Sequence, residues 1–188
     1  METSTGPANT ISNATRPGAA AAPRRLPFDA ATYLDGISAR PCFICGLVAG
    51  DPAFAHPIVF EDDFAVAFLN KHPALAGHTL VCPEAHVEQV TGELARDDYL
   101  RLQALVYDVA EALKAVLSVE RVYILSLGSQ QGNRHVHWHV APLPPGVPLE
   151  QQQFAILDVA RAGVLAMDDL EKAALAERIA EAIRARRA

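Results

Sequence analysis

The sequence has no apolar run of the roughly 18 residues a membrane-spanning helix needs, so no membrane partner is expected. Its first 26 residues contain no apolar block like that of a secretory signal. Cysteine is scarce: of three in 188 residues, two share a single Cys-x-x-Cys, which is no disulfide framework. A reducing, cytoplasmic setting is therefore the default. Charge is sparse too, at 20% of residues with a net charge of -6, and there is no basic stripe beyond the tail Arg184, Arg186 and Arg187. That balance argues against a stable nucleic-acid partner. A nucleotide is not excluded, because local donors can hold one whatever the overall charge.

Hydrophobic residues make up 51% of the chain, and its length suffices to bury one sizeable core. Met1 to about Leu26 is rich in Ala, Thr, Pro, Gly and Asn without periodicity, and reads as a disordered leader.

The chain is organised around His135-Val136-His137-Trp138-His139-Val140-Ala141, which holds three of its seven histidines at i, i+2 and i+4. In a strand, residues two apart share a face, so the imidazoles line one side while Val136, Trp138 and Val140 press into a core on the other. In a helix His137 would point away from His135 and His139. The β-branched and aromatic spacers favour the strand. A plainer reading stays open: histidines on an exposed strand face, or an accidental metal-binding patch.

Upstream, Pro41-Cys42-Phe43-Ile44-Cys45-Gly46 is either a redox dithiol or half of a metal site. Ala30 to Arg40 gives no clear preceding strand of the kind the redox form uses. Two more metal ligands are available in His86 and His135, and Cys2His2 is a common closed zinc set. Cys82 lies inside an apolar strand and reads as a buried small residue.

His56 to Leu69 reads as a hairpin about the acidic turn Glu61-Asp62-Asp63, delivering Asn70. After a loop through Pro73 comes the strand His78 to Pro83. His56 and His72 read as solvated. Thr91-Gly92-Glu93 is placed to cap a helix running to about Leu117, with Leu102, Leu105, Val106, Val109, Leu113, Val116 and Leu117 on one stripe. Arg121 to Leu127 is predicted as a strand, Gly128 to Arg134 as a polar loop, and His135 to Pro142 as the strand that carries the histidines. Beyond the proline-rich Pro142 to Pro148, Gln151 to about Ala160 suggests a short helix. A last helix, capped by Asp168 or Asp169, runs through Arg184 with Leu175, Ile179 and Ile183 on one face. The fold class expected is α+β, a largely antiparallel sheet with covering helices on one side and the histidine row on the other.

Two blocks carry a resemblance. His135 to Ala141 looks like the signature of the histidine triad superfamily of nucleotide hydrolases and transferases, and Gly77-His78-Thr79-Leu80-Val81-Cys82-Pro83-Glu84-Ala85-His86 is similar to its Gly-His-x-Leu-Val-x-Pro-x-x-His segment. The resemblance covers roughly Pro41 to Leu143. It implies a histidine-triad-like catalytic domain over residues 27–148, with residues 149–188 as a helical extension outside the family pattern. It implies a homodimer to which the long helix contributes. In several members a structural zinc is held by ligands that fall here on Cys42, Cys45, His86 and His135.

The resemblance makes His137 the nucleophile toward the α-phosphorus, with a ring nitrogen oriented by a backbone carbonyl. His139 would donate to a phosphoryl oxygen and His78 would support the leaving-group side. Asn70, Gln131, Asn133 and His139 would contact substrate. The implied reaction is hydrolysis of a dinucleoside polyphosphate, or a related purine nucleotide conjugate, through a covalent nucleotidyl-histidine. A phosphorylase or a phosphoramidase on the same site stays open, as do a non-catalytic nucleotide-binding module and a hydrolytic metal centre built from all three histidines. The chain departs from the pattern at Gly132, where the family usually carries Ser or Thr. Without that hydroxyl, protonation of an amine leaving group is weakened while the nucleophile is kept. Phe60, Phe64 and Phe68 are candidates for the walls around a base.

Overall fold

Asp62 sets the first corner of the main sheet. Its carboxylate accepts from the backbone N–H groups of Phe64 and Ala65, turning β2 (Ile58–Glu61) back into β3 (Ala65–Leu69) as the acidic turn predicted. The computed structural model describes residues 23–126, 133–153 and 155–188. Most of the leader (residues 1–22), Gln131 and Gly132 lie outside the described residues.

The main sheet has five antiparallel strands. Their order is β2-β3-β4-β6-β5, with β4 at Thr79–Pro83, β5 at Arg121–Leu125 and β6 at Trp138–Leu143. Around them lie α1 (Ala30–Ser38), α2 (Phe43–Val48), a 3-10 turn (Pro52–Phe54), α3 (Arg96–Val116), two short helices, α4 (Leu149–Gln152) and α5 (Val159–Ala162), and α6 (Asp169–Arg187). β1 (Arg25–Leu26) and β7 (Val164–Leu165) form a separate antiparallel pair. The fold is α+β, an antiparallel sheet covered by helices, as expected.

Alternation along the strands divides the core. Ala65, Ala67, Leu69, Val81, Trp138 and Val140 face α3, whose Leu102, Leu105, Val106, Val109 and Leu113 form the predicted stripe. Leu175, Ile179 and Ile183 of α6 belong to the same cluster, so the last helix docks on α3 and β2 of its own chain. Val66, Phe68, Leu80 and Cys82 point to the opposite face, where Ile44 and Leu47 of α2 cover them. Cys82 is a buried small residue, as read from its strand. The histidines share this second face, because Leu80 stands opposite His139.

Several boundaries differ from the sequence pattern for local reasons. Arg25 and Leu26 are not leader but strand: Arg25 donates to the carbonyls of Gly163 and Ala74, anchoring the chain there. The long helix starts at Arg96 rather than near Thr91. Glu93 is drawn away to accept from the backbone N–H groups of Glu88 and Gln89, and Ala95 takes the cap position without a side-chain bond. The predicted helix at 151–160 is two single turns, α4 and α5. Asp168 caps α6 in a full capping box with Glu171, and the helix runs on to Arg187.

Candidate active site and metal centre

The histidine-bearing strand begins at Trp138, three residues later than its alternation suggested. Val136 N–H is bonded to the carbonyl of Val87 rather than to a strand, and the His137 carbonyl accepts from the Ser126 hydroxyl. The alternation of faces survives this departure. Val136 is buried in the α3-side core, and the imidazoles of His137 and His139 lie with ring centroids 4.9 Å apart on the other side.

His137 Nδ1 bonds the carbonyl oxygen of its neighbour His135 at 2.7 Å. A carbonyl only accepts, so Nδ1 carries the proton and Nε2 keeps its lone pair. Burial depresses the pKa of His137 below the ordinary histidine value, against the raising effect of that hydrogen bond. The ring is therefore neutral near pH 7 and presents a bare nitrogen. This is the carbonyl-oriented arrangement a nucleophilic imidazole needs.

His78 sits just ahead of β4. Gly77 before it adopts φ +80°, and a Cβ there would lie 2.6 Å from Leu117 Cδ1. The turn and the close packing against the C-terminal end of α3 therefore require glycine. His78 and His139 are diagonal neighbours across β4 and β6, and His78 Nε2 lies 2.9 Å from His139 Nδ1. Asn70, at the end of β3, places Nδ2 3.4 Å from His78 Nδ1 and accepts from the His72 backbone N–H through Oδ1. Burial, with the neighbouring His137, pushes His139 down to about 3. His78 is held well below the usual value by burial first and then by His139 and His137. Asn70, His78, His137 and His139 thus form one connected group of neutral donors and acceptors, with His78 buried and the others half-buried.

Cys42, Cys45, His86 and His135 form a second group, with one ligand atom from each all within 4.8 Å of one another. Cys42 Sγ lies 3.6 Å and Cys45 Sγ 3.7 Å from His135 Nδ1, and Cys45 Sγ lies 3.1 Å from His86 Nδ1. Metal bonds of about 2.0 to 2.3 Å in a tetrahedron place neighbouring ligands roughly 3.3 to 3.8 Å apart, close to these spacings. The outer contacts fit as well. His135 Nε2 bonds the Pro83 carbonyl at 2.8 Å, which leaves Nδ1 free to ligate, and His86 Nε2 faces Glu88 Oε1 at 3.4 Å. Burial and its neighbour Cys42 push the Cys45 thiol up to about 11 in the metal-free chain, the opposite of an activated redox thiol. Cys42 does cap a helix, but α1 precedes it rather than a strand. The donor set can hold a metal ion, with His135 Nδ1 turned toward the two thiols.

A cavity of about 620 Å³ opens beside the metal cluster, with Phe43, Phe54, His56, Lys71, Asn133 and Arg134 among its walls. Asn133 directs Oδ1 at the Cys42 thiol, 3.6 Å away, and its Nδ2 is buried with no partner among the described residues. Phe60, Phe64 and Phe68, named from the sequence as candidate walls, do not line this cavity. Phe60 and Phe64 pack on the α3 side and Phe68 is fully buried. Phe43, stacked on His56 at 5.5 Å, lines the cavity. His56 and His72 are not simply solvated: His56 bonds the Phe54 carbonyl, and the His72 ring lies 5.0 Å from both Phe28 and Tyr33. α1 adds Tyr33 and Ile37 to the cavity wall, and Arg40 just beyond it joins them, which the weakly patterned 30–40 segment did not announce. Asp29, whose carboxylate caps α1 at Thr32, was the one available signal.

Residues 54–145 match the family model described as HIT domain. An uncharacterized HIT-like protein of Saccharolobus solfataricus is 35% identical over 105 residues, 54% of this chain and 73% of that protein. The protein named Protein hit of Bacillus subtilis is 31% identical over 110 residues, 55% of this chain and 72% of its own. Among solved structures, a hypothetical histidine triad nucleotide-binding protein of Sulfolobus tokodaii superposes with TM-score 0.61 at 24% identity, over 77% of this chain and 93% of that one. A Zn-bound histidine triad family protein of Mycobacterium smegmatis gives TM-score 0.60 at 20% identity, over 78% and 95%.

Proposed function

This chain belongs to the HIT domain family, and on that premise we propose that it is a nucleotide hydrolase acting at an α-phosphorus through a covalent nucleotidyl-histidine. The observation that carries the reading is the 2.7 Å bond from His137 Nδ1–H to the His135 carbonyl, which leaves Nε2 as a fixed, neutral nucleophile. In the first step the Nε2 lone pair attacks the α-phosphorus. The bond to the bridging oxygen breaks, and that oxygen leaves with the electron pair as the terminal oxygen of a nucleoside polyphosphate anion. In the second step a water oxygen attacks the same phosphorus, the N–P bond breaks, and His137 regains its lone pair as the water proton passes to solvent. Charge builds on the equatorial oxygens in both steps, and His139 is the nearest imidazole to answer it.

The substrate class we favour is the dinucleoside polyphosphates, cleaved to release a nucleoside monophosphate. The leaving group is then an anion that needs no proton, which suits a chain with glycine at position 132. Gln131 is proposed as a further phosphate contact on the resemblance alone. His78, His137 and His139 do not line the cavity beside the Cys/His cluster, so Lys71, Asn133 and Arg134 on its wall are proposed only as donors to the far part of the substrate, with Phe43 and His56 as a stacking wall there. Cys42, Cys45, His86 and His135 would hold zinc as a structural crosslink that fixes the residues ahead of β6. A homodimer is proposed as well, through the exposed edge strand β5 and α3, which leave Ile124 and Leu100 exposed.

Product identification tests the reading. Purified protein is incubated with diadenosine polyphosphates and, separately, an adenosine phosphoramidate, in 18O-labelled water with and without phosphate, beside a His137→Asn control. Labelled AMP from the polyphosphates, lost in the variant, is the expected result. ADP formed only with phosphate makes the protein a phosphorylase. No turnover together with tight AMP binding makes it a binding module.

A further inference from the structure

The hydrogen bonds around His78 have a direction that begins outside the imidazoles. The His72 backbone N–H can only donate, so the Asn70 amide must turn Oδ1 toward it, at 2.8 Å. Nδ2, a donor only, then faces His78 Nδ1 at 3.4 Å, and that nitrogen must accept. His78 is buried and neutral, so its single proton sits on Nε2 and is given to His139 Nδ1, 2.9 Å away. His139 in turn carries its proton on Nε2. From this chain we propose that Asn70 is a positioning residue: through His78 it fixes the tautomer of His139, so that an N–H, never a bare nitrogen, is presented beside the nucleophile.

The consequence for chemistry rests on the nucleotidyl-transfer reading above. Two anchors of opposite kind set two adjacent imidazoles in opposite tautomers. The His135 carbonyl leaves His137 Nε2 bare, and the Asn70 amide leaves His139 Nε2 protonated. One attacks while the other donates to the phosphoryl oxygens. The chain ends on an amide, which cannot supply a further proton. His139 is therefore a standing hydrogen-bond donor rather than one end of a proton relay, and the site suits leaving groups that depart as anions.

Long-range 15N–1H NMR of the histidine-labelled protein reads the tautomers directly, whether or not a substrate has been found. The expected wild-type spectrum shows His78 and His139 both as Nε2–H. Asn70→Asp keeps an acceptor for His72 N–H but presents His78 with an acceptor only. His78 must then carry its proton on Nδ1, and His139 Nε2 loses its proton unless the pair takes up an extra one. The expected result is a switch of both tautomers, or a protonated pair, with kcat for the polyphosphate substrate falling on the order of 10²-fold and KM changed far less. Asn70→Ala, which removes the donor without substituting an acceptor, should give a mixture of tautomers. His139 as Nδ1–H in the wild type would overturn the proposal, as would a wild-type pattern retained in either variant. A raised KM with unchanged tautomers would assign Asn70 to substrate contact instead.

Discussion

His135 is bonded on three sides at once: Nδ1 faces the two thiols, Nε2 bonds the Pro83 carbonyl at 2.8 Å, and its own carbonyl receives the His137 Nδ1 proton at 2.7 Å. A metal held at Nδ1 would therefore fix the carbonyl that orients the His137 ring.

Chelation follows from this. Removing the metal should lower both Tm and kcat, and stoichiometric zinc should restore both. Cys45→Ser should do the same, with activity reduced about 10- to 100-fold, the range typical when a group that orients a metal site is lost. Metal content and turnover measured on one preparation check the prediction. Full kcat in a metal-depleted, folded sample would show that the Pro83 bond alone holds His135.

The buried histidines set the acid limb of stability. His139 is pushed down to about 3 and His135, in the metal-free chain, to about 4, chiefly by burial, while an unfolded histidine titrates near 6.5. Between those values the unfolded chain binds more protons than the folded one, so stability is full above about pH 6.5 and is lost as pH falls. Each such group contributes a slope of at most about 1.4 kcal/mol per pH unit. Urea midpoints of the apo protein should therefore decline steadily from pH 7 to pH 4.5. His139→Gln should flatten that decline, and an unchanged slope would mean that His139 is not held neutral in the fold.

Gly77 joins packing to chemistry. Alanine at φ +80° adds strain of about 1 to 3 kcal/mol, and its Cβ would also lie 2.6 Å from Leu117 Cδ1 and 3.0 Å from Leu113 Cδ2. Relief by backbone movement would shift His78 off His139 Nδ1. Gly77→Ala should lower the urea midpoint without changing the slope of unfolding, and kcat should fall with it. A destabilised variant with wild-type kcat would separate the turn from the histidine chain.

What the sequence disclosed depended on whether the signal was local. The alternation from His135 to Ala141 set side-chain faces by spacing alone, and the resemblance put His78 beside them, so the joint placement of His137, His139 and His78 was legible. The metal set was legible because Cys42 and Cys45 named two ligands and the resemblance named His86 and His135. The start of β6 was not. It is fixed by Val87 and Ser126, partners far away in sequence that replace the strand ladder. The start of α3 was missed because Glu93 serves the preceding turn instead of the helix. The cavity walls from α1 were hidden for the same reason: Tyr33 and Ile37 acquire their role only when the chain folds back over the site.

Arg134 supplies the test of how far the substrate extends. It is exposed, lines the cavity, stands three residues before His137, and has no ion pair among the described residues. An exposed guanidinium near a polyphosphate contributes through bidentate contacts that a nucleoside monophosphate cannot use to the same extent. Arg134→Ala should therefore raise KM several-fold for tetraphosphate-linked substrates and less for triphosphate-linked ones, with kcat nearly unchanged, since the interaction is the same in ground and transition states. Raising the salt concentration should narrow the difference between wild type and variant. If KM is unchanged across the series, the polyphosphate leaves the site on another side and Lys71 becomes the cation to remove next.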